Sequence, residues 1–405
     1  MLIEREQRRK WDRAAIIVRM QTVIAAERLW DGVRVIQHPL VSMEDGRIVA
    51  VESRDSSEIR PQAQVRDFPG ATLGPAFFDI HIHGSAGHDV MEATPEALES
   101  IGTFLAAHGT GAYLATTVTA PVDSILRSVD QLARLIRQGP GGTQAWPLGI
   151  HLEGPFLSHE KRGVHPPDLL LAPDIAVFDR IYEAADGKLR LMTLAPELPG
   201  SVELAEHAAA LGVRVSVGHS NATAAETRTA IAAGATSATH TFNAMRVLDH
   251  REPGILGTVL TTDELYAELI CDGIHNAPEM VRLWWKAKGP QRALLVTDAM
   301  SAAGMPDGEY QLGGFAVELA DGRAMANGVL AGSVLTLDRA LCNFIRFTGA
   351  TVDHALQALS ANPAAMTGLG TQAGSVTVGA PANLVAVDSA GRLIASIQAG
   401  AVVAG

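Results

Sequence analysis

Eight short apolar segments recur along the middle of the chain, and amphipathic, Ala-rich stretches separate them. Segments such as GAYLATTV and ALLVTDAM have the length of buried strands, whereas TPEALESIGTFLAAHG and DSILRSVDQLARLIRQG have helical spacing. This alternation is typical of parallel βα units, and eight such units form a closed barrel. The sequence therefore predicts an α/β fold, with a (β/α)8 TIM-type barrel over residues 73–370.

Both ends of the chain have the pattern of short strands separated by Gly, Pro and Asp turns. We expect residues 16–72 and 371–405 to pair as one small β-sandwich domain formed by both termini. The first residues, MLIEREQRRKWDRAA, lack the apolar core and cleavage site of an ordinary signal peptide. We therefore expect residues 1–15 to be a flexible extension.

The charge and the apolar content exclude several classes of function. The net charge is −12, which argues against binding to nucleic acid or to an anionic membrane surface. The longest apolar runs are far shorter than the roughly 20 residues that cross a bilayer. Only two cysteines occur in 405 residues, as expected in a reducing compartment. We therefore expect a cytoplasmic protein.

Most of the predicted barrel strands end in a side chain that can bind a metal ion or transfer a proton. Polar loops alone would give scattered Ser, Asn and Lys at these places. Since catalytic residues of barrels lie at the carboxyl ends of the strands, we expect one site there. The strand-ending residues are His81, His83, Glu153, His219, His240, His275 and Asp298.

The identities of these residues predict a metal site. His81 and His83 are two residues apart on a strand, so both rings lie on one face. Taken alone, that pair could equally be two histidines bonded to loop carbonyls, but Glu153, His219 and His240 add ligands from other strands. Imidazole and carboxylate ligands without thiolate suit zinc, iron or manganese. Asp298 ends an otherwise apolar strand, where burying an acid costs several kcal/mol unless it meets a cation or a hydrogen-bonded partner.

The motifs PAFFDIHIHG, HLEGPFL, KRGVHPP, GHSNAT, THTFNAM, REPG, DGIH and VTDAM occur in this order. With them, the chain resembles the amidohydrolase superfamily. Within it, the chain is similar to the enzymes that act on N-acetylglucosamine 6-phosphate. The resemblance implies a barrel with a flanking β-sandwich, and metal-dependent hydrolysis of the sugar's N-acetyl group. It also implies a small phosphorylated amino sugar as the partner, and a homodimer.

The resemblance assigns roles to individual residues. The family's metal ligands fall on Glu153, His219 and His240. His81 and His83, with Asp298, provide a possible second site. One or two metal ions per subunit are therefore implied, and zinc is the first choice. Asp298 is expected to shuttle the proton. His165 is expected to stabilise the oxyanion, the alternative being an ordinary loop histidine.

The resemblance also implies a phosphate site. It falls on His275, on Arg251, and on the segment of Asn243 and Ala244, whose backbone amides can bind the phosphate. In related enzymes this arginine can reach across a dimer interface. The alternative for Arg251 is a solvated surface arginine.

Two other functions compete with this interpretation. The first keeps the chemistry and changes the sugar to N-acetylgalactosamine 6-phosphate, which differs in the orientation of one hydroxyl. The second is a non-catalytic scaffold of the same superfamily, and the presence of every expected ligand argues against it.

Overall fold

The computed structural model describes residues 22–57 and 63–405. The predicted extension, residues 1–15, and the start of the predicted β-domain, residues 16–21, lie outside the described residues. Within the described part of the chain, no helix combines the length and the apolar character needed to span a membrane.

The predicted parallel barrel is present, and all eight expected strands are confirmed. They follow one another around the sheet in chain order. The ring closes where the backbone N–H of Asp298 donates to the carbonyl oxygen of His81, at 2.8 Å, beside a parallel bridge between Ile82 and Ala299. The strands are β1 Phe77–Ile82, β2 Thr110–Thr117, β3 Trp146–Glu153, β4 Leu189–Leu194, β5 Arg214–Val217, β6 Ala235–Ala238, β7 Tyr266–Ile270 and β8 Ala293–Val296.

One α-helix follows each barrel strand and covers its outer surface. Several of these helices begin at residues that favour a helix N-terminus. Pro95 occupies the first turn of one helix, and Thr223 and Glu226 form a capping box at another. The helices are α1 Pro95–Ala107, α2 Val122–Gln138, α3 Ile175–Ala184, α4 Ser201–Ala210, α5 Ala224–Ala232, α6 Gly254–Thr261, α7 Pro278–Arg292 and α8 Leu337–Thr348. Shorter helical segments are the 3-10 turns Val90–Glu92 and Pro167–Leu169, the helices Val352–Leu356 and Asn362–Thr367, and the π-helix Gln357–Ala361 between them.

Strands from both ends of the chain form a second, eight-stranded sheet, as the sequence predicted. Gln64–Pro75 joins the two ends, because it pairs in parallel with Thr22–Trp30 and antiparallel with Leu384–Val387. The sheet folds back on itself where the N–H of Ile48 donates to the Ala380 carbonyl oxygen, and it encloses its own apolar core. The other strands are Val35–Gln37, Pro39–Glu44, Arg47–Ser53, Leu393–Gln398 and Ala401–Ala404.

An additional four-stranded antiparallel sheet, which the sequence analysis did not predict, lies between β8 and α8. We call it the meander sheet; its strands are Gly308–Leu312, Phe315–Ala320, Arg323–Ala326 and Val329–Leu330. The segments that lead into and out of it meet at the carboxyl end of the barrel, where the N–H of Ser333 donates to the Asp298 carbonyl oxygen at 2.7 Å. A separate two-stranded ribbon, Gly84–Ser85 with His88–Asp89, follows β1.

Candidate metal centre and active site

Six of the predicted site residues lie together at the carboxyl ends of the barrel strands. They form two groups, and within each group the potential ligand atoms lie within 4.8 Å of one another. All six side chains are buried. The first group is His81, His83 and Asp298, and the second is Glu153, His219 and His240.

The carboxylate of Glu153 joins the two groups. Its Oε1 atom lies 3.3 Å from the Nε2 atoms of His81, His219 and His240. Its Oε2 atom lies 3.2 Å from Nε2 of His83. Asp298 completes the first group, with Oδ1 at 3.2 Å from Nε2 of His83.

The backbone directs three of these side chains into the barrel mouth. His219, His240 and Asp298 each stand two residues beyond the end of a strand. Their φ angles are 46°, 26° and 50°, in the left-handed region that non-glycine residues rarely adopt. Backbone strain of this kind is concentrated at functional sites.

In three of the histidines, Nδ1 is hydrogen-bonded on the side of the ring away from the cluster, so that Nε2 faces its centre. Nδ1 of His83 donates to the Thr116 carbonyl oxygen at 3.1 Å, and Nδ1 of His219 donates to that of Lys161 at 2.9 Å. Nδ1 of His81 donates to Oε2 of Glu268 at 3.1 Å. In a neutral ring this leaves the lone pair on Nε2, which is the arrangement found in metal-binding histidines.

The donor set fits a divalent metal ion. Among the described residues, Nε2 of His81 and Oε1 of Glu153 are buried and have no hydrogen-bond partner, although buried polar atoms normally have one. Nitrogen and carboxylate donors without thiolate are suited to zinc, iron or manganese. Two groups of three side chains offer room for one ion or two.

Electrostatics keep both carboxylates ionised. Burial alone would raise the pKa of Asp298, but the charge of His81 and the hydrogen bond with His83 lower this pKa to about 2. Burial is likewise outweighed at Glu153, where the facing imidazoles, His81 foremost, hold the pKa well below its ordinary value. Burial lowers the pKa of His219 to about 4, so this ring is neutral at physiological pH.

His165 lies at the same mouth and is oriented by Thr119. The backbone N–H of Thr119 donates to Nδ1 of His165 at 3.3 Å, and the Thr119 hydroxyl lies 2.8 Å from the same nitrogen. Nδ1 is therefore an acceptor, so the proton of a neutral ring is on Nε2. That nitrogen lies 3.7 Å from Oε2 of Glu153, where it can donate to a substrate oxygen.

A cavity of about 500 Å³ opens over the cluster, and three of the four predicted phosphate residues line it: Asn243, Ala244 and His275. His275 is fixed by Asp272, whose Oδ2 lies 2.6 Å from its Nδ1. The fourth, Arg251, is exposed and is not among the lining residues. A larger cavity of about 930 Å³ beside α6 and α7 contains none of the six cluster residues, so we assign the chemistry to the smaller one.

The sequence analysis missed one wall of this cavity, which the meander sheet provides. Leu312, Met325 and Leu330 all line it. A signal for this sheet was present: its three turns are the two-residue pairs Gly313-Gly314, Asp321-Gly322 and Asn327-Gly328, each with positive φ at both residues. Such pairs are strong hairpin signals.

Supporting residues beneath the cluster were also missed. Asp79 lies below His81, and its Oδ2 accepts from the Thr297 hydroxyl at 2.5 Å. His151 is buried in the barrel, with Nε2 at 2.8 Å from Oγ1 of Thr193. Nothing in the sequence distinguishes these buried polar residues from ordinary strand residues.

The histidines to which the sequence assigned no role do not line the cavity. His88, which the sequence left ambiguous, lies near the surface with Nδ1 at 3.0 Å from Oε2 of Glu92. The others are His38, His108, His159, His207, His250 and His354.

The chain is similar to known proteins over most of its length. The model of the amidohydrolase family matches residues 72–403. N-acetylgalactosamine-6-phosphate deacetylase of Escherichia coli O157:H7 is 38% identical over 89% of this chain and 93% of the relative. N-acetylglucosamine-6-phosphate deacetylase of Lysinibacillus sphaericus is 38% identical over 84% of this chain and 86% of the relative.

A solved structure is also similar over almost the whole chain. It is a variant of N-acetyl-D-glucosamine-6-phosphate deacetylase from Mycobacterium smegmatis in complex with N-acetyl-D-glucosamine 6-phosphate. The TM-score is 0.88 at 34% identity, covering 95% of this chain and 100% of that chain.

Proposed function

Because the chain belongs to the amidohydrolase family, we propose that it hydrolyses the N-acetyl group of N-acetyl-D-glucosamine 6-phosphate. The products are D-glucosamine 6-phosphate and acetate, as needed in amino-sugar catabolism or recycling. The observation that carries the proposal is the convergence of four imidazoles on the Glu153 carboxylate at the mouth of the barrel. Relatives that carry this activity in their names match most of the chain.

We propose that Glu153, His219 and His240 hold one divalent ion, and that His81 and His83, with Asp298, can hold a second. Zinc is our first choice, with iron or manganese as alternatives. When bound, such an ion supplies Lewis acidity, which lowers the pKa of water from 15.7 to about 7 and polarises the amide carbonyl.

Asp298 is the proton carrier in this proposal. Its Oδ1 atom lies at the mouth of the barrel, 3.2 Å from Nε2 of His83, where the carboxylate can take a proton from the attacking water. The same oxygen then delivers this proton to the leaving nitrogen as the C–N bond breaks. The amine leaves neutral, and the acetic acid that forms retains the water oxygen with its second hydrogen. This acid releases that proton to the solvent as acetate, and Asp298 has already returned to its ionised form.

His165 stabilises the oxygen of the tetrahedral intermediate. Its Nε2–H is directed toward the cluster because Thr119 occupies Nδ1. A donor placed in advance at a developing oxyanion typically contributes about 2.7 to 4 kcal/mol to catalysis.

The phosphate binds at the side of the cavity formed by Asn243, Ala244 and His275. Arg251 is exposed, so in this proposal it contributes from the partner subunit of a homodimer. A guanidinium fork can bind two phosphate oxygens at once. The homodimer is implied by the family resemblance, and the cytoplasmic location is a prediction from the sequence.

The galacto epimer is a second candidate substrate, because a relative named for it matches 89% of the chain. The test is acetate release by the zinc-loaded protein from N-acetylglucosamine 6-phosphate, its galacto epimer and unphosphorylated N-acetylglucosamine. Preference for the first supports the whole proposal. Preference for the epimer would change the sugar and keep the chemistry, whereas release from none of them by the metal-loaded protein would refute it.

A further inference from the structure

The positions of the strands around the barrel indicate where the acyl group of the substrate lies. Asn243 and Ala244 follow β6, and Val118 follows β2. In a ring of eight strands these two lie opposite one another, with the metal cluster between them. If the phosphate binds near β6, as in the proposed function on which this inference rests, the acyl chain extends from the carbonyl toward β2.

The β2 side of the cavity is an apolar wall made of Val118, Val164 and Leu312, all of which line the cavity. Val118 is 1% exposed and Leu312 2%. Val164, next to His165, packs against the apolar core of the meander sheet. The wall therefore combines the end of a barrel strand, the loop of His165 and the meander sheet.

The wall has little room to move. A side chain at Gly313, which follows Leu312, would place its Cβ 1.8 Å from Cγ1 of Val118. The N–H of Gly313 donates to Oδ2 of Asp89 at 2.7 Å, and the other carboxylate oxygen of Asp89 accepts from the N–H of Met91 at 2.8 Å. The turn of the meander sheet is thus held against the end of β2, and a longer acyl chain would have to displace it.

We propose that the wall of Val118, Val164 and Leu312 receives the acyl methyl group and restricts the enzyme to amino sugars with short N-acyl chains. Leu312 is the residue that sets this limit. A rigid apolar site distinguishes ligands that differ by one methylene by roughly tenfold to two-hundredfold.

The experiment compares kcat/KM of the zinc-loaded protein for N-acetyl-, N-propionyl- and N-butanoylglucosamine 6-phosphate. In Leu312→Ala we expect the ratio of butanoyl to acetyl substrate to rise roughly tenfold or more. Leu312→Val, which removes a single carbon, is a milder variant that should shift the propionyl ratio in the same direction even if Leu312→Ala folds poorly.

Leu319→Ala is the matched control, because Leu319 is buried in the same apolar core but does not line the cavity. Its acyl ratios should equal those of the wild type. Unchanged ratios in both Leu312 variants, or an equal rise in Leu319→Ala, would overturn the inference and leave the deacetylase function intact. Failure of the wild-type protein to release any of the three acyl groups would refute both.

Discussion

The Nε2 atoms of His219 and His240 face each other at 3.0 Å, and Oε1 of Glu153 lies 3.3 Å from both. Two neutral rings whose lone pairs point at the same place repel each other unless a proton or a cation lies between them. Burial lowers the pKa of His219 to about 4, which leaves two arrangements. Either a neutral His240 donates its Nε2–H to Nε2 of His219, or a metal ion is held by both nitrogens and Glu153.

Metal removal should abolish activity and destabilise the protein. A ligand that binds only the folded state at 100 times its Kd adds about 2.7 kcal/mol to the free energy of unfolding. We therefore expect zinc to raise the Tm of the chelated protein and to restore turnover. Glu153→Gln should lose both effects, and metal analysis should find less bound ion. His88→Ala is the control, since this ring pairs with Glu92 outside the cluster; an equal loss there would contradict the assignment.

Asp298→Asn should lower turnover by about a hundredfold to ten-thousandfold while metal stays bound. The amide has nearly the shape of the acid but cannot accept and return a proton. The measurement is steady-state kinetics combined with metal content. Asp338→Asn, which affects a carboxylate paired with His108 away from the cavity, should leave turnover unchanged. Near-normal turnover of metal-loaded Asp298→Asn would exclude this residue as the proton carrier.

His165→Ala should reduce kcat about a hundredfold to a thousandfold, the usual cost of one oxyanion donor. Thr119→Val should cause a smaller loss, because the backbone N–H of residue 119 still bonds to Nδ1 while the hydroxyl is gone. Both variants should affect kcat more than KM, because the bond forms mainly in the transition state. A loss below tenfold in His165→Ala would remove this residue from the reaction.

The sequence was sufficient to predict the barrel and the cluster of side chains at its mouth, because most strands end in a distinctive polar residue. His81, Glu153, His219 and Asp298 interrupt apolar runs, and barrel geometry brings such strand ends together. The meander sheet was not predicted, although its turns are hairpin signals, because short antiparallel strands lie outside the alternation of strands and helices that indicates a barrel.

Other features depend on contacts between residues distant in the chain. Glu268 bonds to His81 across 187 positions, and Gly313 bonds to Asp89 across 224. No local pattern predicts which buried polar groups will meet, because that depends on tertiary packing. The role proposed for Arg251 requires a second subunit and is equally beyond what a single chain contains.

Arg251→Ala should raise KM for the phosphorylated substrate by roughly tenfold to a hundredfold, the worth of a hydrogen bond to a charged group. The unphosphorylated sugar should be little affected. The matched control is Arg134→Ala, because Arg134 is also an exposed arginine and pairs with Asp130 on α2. Light scattering should show a dimer; a monomer at the assay concentration would rule out an arginine shared between subunits.

Phosphate binding should weaken as the pH rises through the pKa of His275. Burial opposes the charge on this ring, but the hydrogen bond and the charge of Asp272 outweigh it and raise the pKa above its ordinary value of 6.5. Below that raised pKa the imidazolium attracts the phosphate. Above it the charge is lost, so KM for the phosphorylated substrate should increase with pH. The phosphate itself, with a second pKa of about 6, is already a dianion in this range.

His275→Gln, which cannot titrate, should bind weakly at low pH and show a flat profile. His207→Gln, at a ring paired with Asp179 outside the cavity, should keep the wild-type profile. A pH dependence that persists in His275→Gln would assign the titration to another group.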